Sequence, residues 1–329
     1  MRGSLWAGFL ALALCFSMAW LDLRLAAAVP PERPAVSPPP AETEAPAEPG
    51  APPAVPRTLR VLCGEELCEM DMQDYLIGVV AAEMPADFEP EALRAQAVAA
   101  RTYALYCAET HRHKEADVCT DYTCCQAWRS GEELRRDWGA EYEARHAKVA
   151  AAVQATDGEI LCYGGHAIFA AFHSSSAGYT EDCGAIWSEL PYLVSVWSPE
   201  DAGSVPGYVS TRTLTPLDFR DTLLSLRPEA DFSAPPERWL GETILDGSGR
   251  VASVELGGAV FTGVELRKLF SLRSTAFTLS YDGDFAFTVT GFGHGVGMSQ
   301  YGANVLAAEG ESYREILAHY YPGTELIRV

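Results

Sequence analysis

Residues 29–56 decide how much of this 329-residue chain can fold. The stretch is built of Pro, Ala and Glu with hardly a bulky apolar side chain, so it has too little apolar surface to offset the entropy lost on ordering. It reads as an extended, semi-rigid linker. Before it, residues 3–21 form an apolar run that follows Arg2 and is closed by Asp22 and Arg24. Such a run is long for the apolar centre of a signal peptide and just long enough to cross a bilayer. We therefore expect residues 1–28 to be a signal-anchor in preference to a cleaved signal peptide. The rest of the chain is then held at the cell membrane on its extracytoplasmic side, and Arg2 in a short flank without acids agrees with a cytoplasmic N-terminus.

Globular structure is confined to residues 57–329, enough for one large domain or two ordinary ones. The net charge of −21 argues against nucleic acid or an anionic bilayer as the main ligand. The residue pattern predicts an α+β fold of mixed helices and short strands without regular alternation. Residues 58–62 and 67–72 read as a hairpin, and helices are expected at 73–84, 90–107, 141–152, 298–308 and 312–320. Residues 205–274, with a helix of their own at 216–226 and strands near Val251 and Phe261, are a candidate subdomain.

The first of these helices ends in a carboxylate. On a 3.6-residue period Leu76, Val79 and Val80 share a side with Glu83, and Pro85 stops the helix just beyond it. Burial and the negative end of the helix dipole both favour a neutral Glu83, the form a general acid requires. An amphipathic helix whose last glutamate reaches water or pairs with an arginine is the competing reading. On the next helix, Gln96, Arg101 and Tyr103 are polar groups among many alanines.

Cysteines concentrate in residues 113–128, where His113, Cys119, Cys124 and Cys125 offer the imidazole and thiolate donors that zinc takes in tetrahedral sites. His113, Cys119 and Cys125 are six residues apart each time, which is not the short knuckle spacing. A Cys119–Cys124 disulfide or buried thiols are the alternatives. Cys63 and Cys68 bracket the first hairpin and read as partners for each other, whereas core packing is the default for Cys107, Cys162 and Cys183.

Two further segments gather polar groups. Phe172-His173-Ser174-Ser175-Ser176 lies where an apolar strand ends, and reads as a hydroxyl-rich binding loop, since adjacent His and Ser seldom reach the geometry of a nucleophile and its base. Gly291-Phe292-Gly293-His294-Gly295-Val296-Gly297-Met298-Ser299-Gln300 is glycine-dense and opens a helix. It lacks the spacing of a dinucleotide fingerprint. His294 either contacts a ligand there or packs against the loop.

Taken in order, Ala82-Glu83-Met84-Pro85, the alanine-rich helix from Ala95 to Ala104, the His113 to Trp128 segment, Phe172-His173-Ser174-Ser175-Ser176, Gly293-His294-Gly295-Val296-Gly297-Met298-Ser299-Gln300 and His319-Tyr320-Tyr321-Pro322-Gly323-Thr324 resemble the stage II sporulation protein D family across nearly all of residues 57–329. The resemblance implies a lytic transglycosylase that cleaves the MurNAc–GlcNAc bond of peptidoglycan strands freed of stem peptides and leaves a 1,6-anhydro end, during engulfment of the forespore. It implies a sporulation amidase and endopeptidase and a membrane scaffold protein as partners, with no nucleic acid. It places the catalytic glutamate on Glu83 and the zinc ligands on His113, Cys119 and Cys125, the zinc bracing the cleft wall. Cys124 departs from the family pattern and is expected outside the ligand set. Arg101, Gln96, Tyr103, His173, Ser174, Ser175, His294, Ser299 and Gln300 are the expected substrate-binding residues. Some relatives of the domain are enhancers of an amidase, so a non-catalytic peptidoglycan-binding activator is the alternative. A zinc or Ser/His hydrolase is a third reading, and needs Ser174 or the metal to face the substrate.

Overall fold

The computed structural model describes residues 55–329. The expected signal-anchor and all but the last two residues of the linker lie outside the described residues. Among those described, no helix is long and apolar enough to cross a membrane.

The hairpin forms from β1 (Thr58–Cys63) and β2 (Glu66–Asp71), paired from Thr58 with Asp71 to Cys63 with Glu66. Asp71 then caps α1 (Met72–Glu83), its carboxylate accepting the Gln73 N–H at 2.8 Å. Pro90 supplies the fixed φ that opens α2 (Pro90–Glu109), which β3 (Val118–Cys119) follows, parallel to β1. Next come α3 (Gly131–Trp138) and α4 (Tyr142–Ala155). A capping box between Ser130 and Glu133 starts α3, a short helix that the apolar periodicity does not announce because only Leu134 of it is buried.

Strands β4 (Glu159–Tyr163) and β5 (His166–Ala167), then β6 (Phe172–His173) and the single turn α5 (Cys183–Ile186), lead to a second group of elements. That group comprises β7 (Val209–Leu214), α6 (Pro216–Leu226), β8 (Leu240–Leu245), β9 (Val251–Leu256), β10 (Ala259–Thr262), α7 (Gly263–Leu269), β11 (Phe277–Asp282) and β12 (Asp284–Thr290). The chain returns through β13 (Met298–Ser299), α8 (Gln300–Ala308), α9 (Tyr313–Tyr320) and β14 (Glu325–Arg328). The result is a mixed α and β fold with several small sheets, β2-β1-β3, β14-β4-β5, β13-β6, β10-β9-β8 and β11-β12-β7.

Two hydrophobic cores form. The larger surrounds α2, whose alanines at 92, 95, 97, 99, 100 and 104 leave room for α1, α4, α8, α9 and β4 to approach on different sides. The smaller is aromatic: Phe219 stacks on Phe285 with centroids 4.0 Å apart, and Trp239 stacks on the same ring at 5.5 Å. Its residues run from Phe219 to Val289, so the unit extends past the 274 boundary of the candidate subdomain because β12 pairs with β7 through Phe285–Leu214.

With neighbours all round, α2 has no wet face. Arg101 is fully buried and donates to the carbonyls of Thr156 at 2.8 Å, Glu159 at 3.0 Å and Val153 at 3.3 Å. These carbonyls include the last of α4, which lack helical partners and attract a cation. Burial lowers the Arg101 pKa to about 10, and the guanidinium is still charged at neutral pH. Arg101 thus ties α2 to α4 and β4, and the expectation that it binds substrate gives way to that role. Replacing it by Leu orphans three buried carbonyls. We predict a loss of roughly 3 kcal/mol, seen as a fall of about 6–12 °C in the melting temperature by calorimetry.

Candidate functional site

Glu83 is buried with Leu76, Val79 and Val80 at the C-terminal end of α1, as the helical spacing requires. Its Oε1 accepts the backbone N–H of Ala127 at 2.7 Å. That contact joins the glutamate to the cysteine segment. The segment lies against α1 because Gly78 admits it: a Cβ at position 78 would stand 2.3 Å from Trp128 Nε1 and 2.7 Å from the Arg129 carbonyl oxygen. The Arg129 N–H also donates to the Gly78 carbonyl at 3.3 Å.

The segment begins at β3, which brings Cys119 into the core, and turns at Asp121. The carbonyl of Asp121 accepts both Cys124 N–H at 3.0 Å and Cys125 N–H at 2.8 Å, while its carboxylate takes the Thr123 N–H at 2.8 Å. The turn folds both cysteines back toward His113. The ligand atoms of His113, Cys119, Cys124 and Cys125 all lie within 4.8 Å of one another, with His113 Nε2 at 3.3 Å from Cys125 Sγ and 3.7 Å from Cys124 Sγ. Burial, and then Arg112, hold the His113 pKa down, so the imidazole is neutral and able to act as a ligand. The Cys119 N–H also points at Cys125 Sγ, 3.5 Å away. Soft donors in this number and at this separation suit zinc.

Tyr103 and Gln96, expected to meet substrate, are interior. The Tyr103 hydroxyl donates to the Cys124 carbonyl at 3.4 Å and so braces the turn. Gln96 is fully buried, and its side-chain amide has no hydrogen-bond partner among the described residues. Gln126 donates to the Tyr75 hydroxyl and the Ala100 carbonyl, both at 3.3 Å, and fixes the segment on α1 and α2.

The serine loop and the glycine loop come together as a second group. Strands β6 and β13 are parallel, pairing Met298 with Phe172 and Ser299 with His173, and Ser175 exchanges backbone hydrogen bonds with Phe292 at 3.0 and 2.8 Å. The glycines serve this approach. Gly297 has φ +72°, and a Cβ there would meet the Ala171 carbonyl oxygen at 2.0 Å. His173 Nε2 lies 2.7 Å from Ser176 Oγ and its Nδ1 3.2 Å from the Val296 carbonyl. Ser176 is fully buried, so this pair offers no nucleophile to a polymer, and Ser174, the serine a hydrolase would need, is not the histidine's partner. His294 Nδ1 accepts the Val296 N–H at 3.0 Å, and its ring packs 5.0 Å from Trp187 and 5.7 Å from His173. Of the six residues expected here, Ser174 and His294 keep partial exposure, whereas His173, Ser175, Ser299 and Gln300 are buried.

Sequence reasoning missed the group that joins these loops. Glu200 is buried, takes the Ser176 N–H at 2.5 Å and the Ser299 hydroxyl, and receives the Ser198 hydroxyl at 2.5 Å, which in turn meets Tyr320 at 2.8 Å. No local pattern marks Glu200, because two of its three partners, Ser176 and Ser299, lie far from it along the chain. Arg250 is buried against Gly295 of the glycine loop, 3.6 Å from buried Glu181. Burial pushes Glu181 up to about 7, against the pull of Ser248 and Arg250.

The two groups are linked. Tyr103, Phe169, Trp187 and His294 form a run of ring contacts at 5.7, 5.5 and 5.0 Å. The chain leaving Glu83 is fastened to α8, with Phe88 edge-on to Tyr301 at 4.9 Å and the Glu89 N–H donating to Asn304 at 2.7 Å.

Residues 65–163, which contain Glu83 and the whole His113–Cys125 cluster, match the sequence profile described as SpoIID: stage II sporulation protein. The stage II sporulation protein D of Bacillus subtilis (strain 168) is 39% identical over 307 residues, covering 91% of this chain and 86% of its own. The chain belongs to the stage II sporulation protein D family. A second member, from Bacillus amyloliquefaciens, is 39% identical over 261 residues, 78% of this chain and 74% of that protein. A protein of Bacillus subtilis (strain 168) named amidase enhancer is 31% identical over 304 residues, 76% of this chain and 40% of its own length.

The family chain carries its two loop histidines neutral. Burial is the first cause for both: His294 is lowered to about 3, with Arg267 and Arg250 adding to the effect, and His173 is lowered well below the ordinary value, with His294 and Arg250 adding. Below about pH 6.5 the unfolded chain therefore binds protons that the folded chain refuses. Stability should be fully present above that pH and fall as acid is added, each histidine removing up to about 1.4 kcal/mol per pH unit. Urea midpoints measured from pH 7 to 4.5 should decline, and His294→Gln should flatten the slope.

Proposed function

We propose that this family member is a peptidoglycan lytic transglycosylase acting in sporulation, with Glu83 as its single acid/base. The observation that carries the reading is Glu83 itself, buried at a helix end with one carboxyl oxygen fixed by the Ala127 N–H. A carboxyl group whose orientation is fixed at a helix end by a backbone N–H is placed as a general acid/base requires. In the acid form Oε1 is the carbonyl oxygen that accepts the Ala127 N–H, and Oε2 carries the proton.

That proton passes to the glycosidic oxygen between MurNAc and GlcNAc as the bond to the anomeric carbon breaks and positive charge develops there. The carboxylate then removes the proton of the muramic acid C6 hydroxyl, whose oxygen bonds to the anomeric carbon and closes the 1,6-anhydro ring. Glu83 ends as it began, protonated, and no water is consumed. One carboxyl group therefore suffices where most glycoside hydrolases use two. The substrate is a glycan strand freed of stem peptides. The protein works from the extracytoplasmic face of the cell membrane, held by its N-terminal segment, beside a sporulation amidase, an endopeptidase and a membrane scaffold protein.

The cluster of His113, Cys119 and Cys125 would hold zinc as a structural brace. Its contribution would be to fix the Asp121 turn, and through it the Ala127 N–H, at Glu83. The kinship to a protein named amidase enhancer favours a second reading, a peptidoglycan-binding activator without cleavage of its own.

Mass spectrometry of products from purified denuded glycan strands separates the readings. Anhydro-muramic ends are expected, whereas reducing ends would indicate a hydrolase and no new ends an activator. Glu83→Gln should keep the fold and glycan binding while reducing product release by at least about a hundredfold, since an isosteric amide donates no acidic proton. Metal analysis under reducing conditions should find about one zinc per chain, and Cys119→Ser or Cys125→Ser should lose both the metal and several degrees of thermal stability.

A further inference from the structure

We infer that Tyr179 and Trp197 form an aromatic platform on which an N-acetylglucosamine unit of the glycan strand stacks. The inference rests on the glycan substrate proposed above and adds a binding site for it. Both rings are large groups left half in water, Tyr179 being 52% and Trp197 50% exposed. A single exposed aromatic is ordinary. These two are neighbours by backbone pairing, facing each other across an isolated antiparallel bridge.

The hydrogen bonds show which kind of pair this is. The Thr180 N–H donates to the Val196 carbonyl at 2.8 Å and the Ser198 N–H to the Gly178 carbonyl at 2.9 Å, so the bonds flank Tyr179 and Trp197 instead of joining them. A pair of this kind has its Cα atoms about 4.5 Å apart, against about 5.5 Å for a hydrogen-bonded pair, and both side chains leave the same face. The two rings therefore stand side by side. Their backbone carbonyls are also held: that of Tyr179 accepts from Arg250 Nη2 at 3.4 Å, and that of Trp197 from His319 Nε2 at 2.6 Å. A platform fixed in this way loses little freedom on binding.

Charge selects the ligand. The chain carries a net charge of −21, yet residues 174–180 and 190–199 contain no charged side chain, and the carboxylates that follow them, Glu181 and Glu200, are buried. A basic ligand finds no exposed carboxylate on these two segments, and an acidic one finds no cation. A sugar ring with apolar C–H faces and a rim of hydroxyls matches aromatic faces bordered by polar groups. In a strand freed of stem peptides the muramic acid keeps a carboxylate, so N-acetylglucosamine is the neutral unit. The serine loop leads into the platform through Gly178. Its Ser174 carbonyl accepts the Tyr301 N–H at 3.0 Å, and Tyr301 packs on Phe88 of the chain leaving Glu83.

The test separates binding from turnover. The Glu83→Gln chain is titrated calorimetrically with denuded glycan strands and with a tetramer of N-acetylglucosamine. In that background Trp197→Ala should raise the Kd for both probes about tenfold and Tyr179→Ala about fivefold, while Trp197→Phe keeps most of the affinity. Melting temperatures should stay within about 2 °C of the parent, because half-exposed rings add little to the fold. In otherwise wild-type protein Trp197→Ala should raise KM and leave kcat unchanged. Alanine variants that bind both probes as tightly as their parent, or a parent that binds neither, overturn the inference. Strands bound through Trp197 but never cleaved by the wild-type chain would overturn the lytic reading and leave the platform standing.

Discussion

The close approach of elements around α2 is the constraint on which the rest of this structure depends. Alanine at 92, 95, 97, 99, 100 and 104 lets four helices and a strand reach the helix from different directions. In an interior this tight most buried polar groups find partners, and the Gln96 amide is an exception on this helix. Arg101 is satisfied by three backbone carbonyls and Thr102 by two backbone partners, giving its hydroxyl proton to Val98 at 2.7 Å and taking the Leu161 N–H at 3.0 Å. These bonds fix β4 and α4 on α2, and with them the ground against which α1 and the cysteine segment lie.

From that platform a single chain of contacts leads to the glutamate. The Asp121 turn gathers the four soft ligands, Tyr103 and Gln126 fasten the turn to the helices, Gly78 allows it to touch α1, and the Ala127 N–H reaches Glu83. A metal held in such a place would stabilise the fold directly, because the donors are assembled only in the folded chain. The Ala127 N–H, at the end of the same segment, sets the orientation of the carboxyl group. The chemistry proposed for Glu83 needs that orientation, since proton transfer depends on reach before it depends on acidity.

The serine and glycine loops have a different physical character. They form a buried polar network in which Glu200 is the acceptor shared by the two loops, while Arg250 lies against Gly295 and 3.6 Å from Glu181. Most of their polar groups point inward. Ser174 and His294 are the exceptions among the residues singled out there, each keeping partial exposure.

Local chemistry made much of this legible without coordinates. Pro90 and Pro216 at helix starts, the stop at Pro85 and the hairpin glycine announced α1, α2, α6 and the first two strands, because φ restriction and apolar period act within a few residues. The side of α1 on which Glu83 lies, and the donor types at 113, 119, 124 and 125, were equally readable. Tertiary structure decided the rest. It turned Arg101, Gln96 and Tyr103 inward, since an alanine-rich helix looks the same in sequence whether one side or every side is covered. It carried the smaller core past residue 274, because β7 finds its partner β12 far along the chain. It also brought Cys124 beside Cys125 at one imidazole, which depends on a turn closed by the Asp121 carbonyl. Sequence thus determined which groups are present and how each helix orients them, while only the folded chain could decide which are covered and which meet, as those outcomes rest on contacts between residues far apart along the backbone.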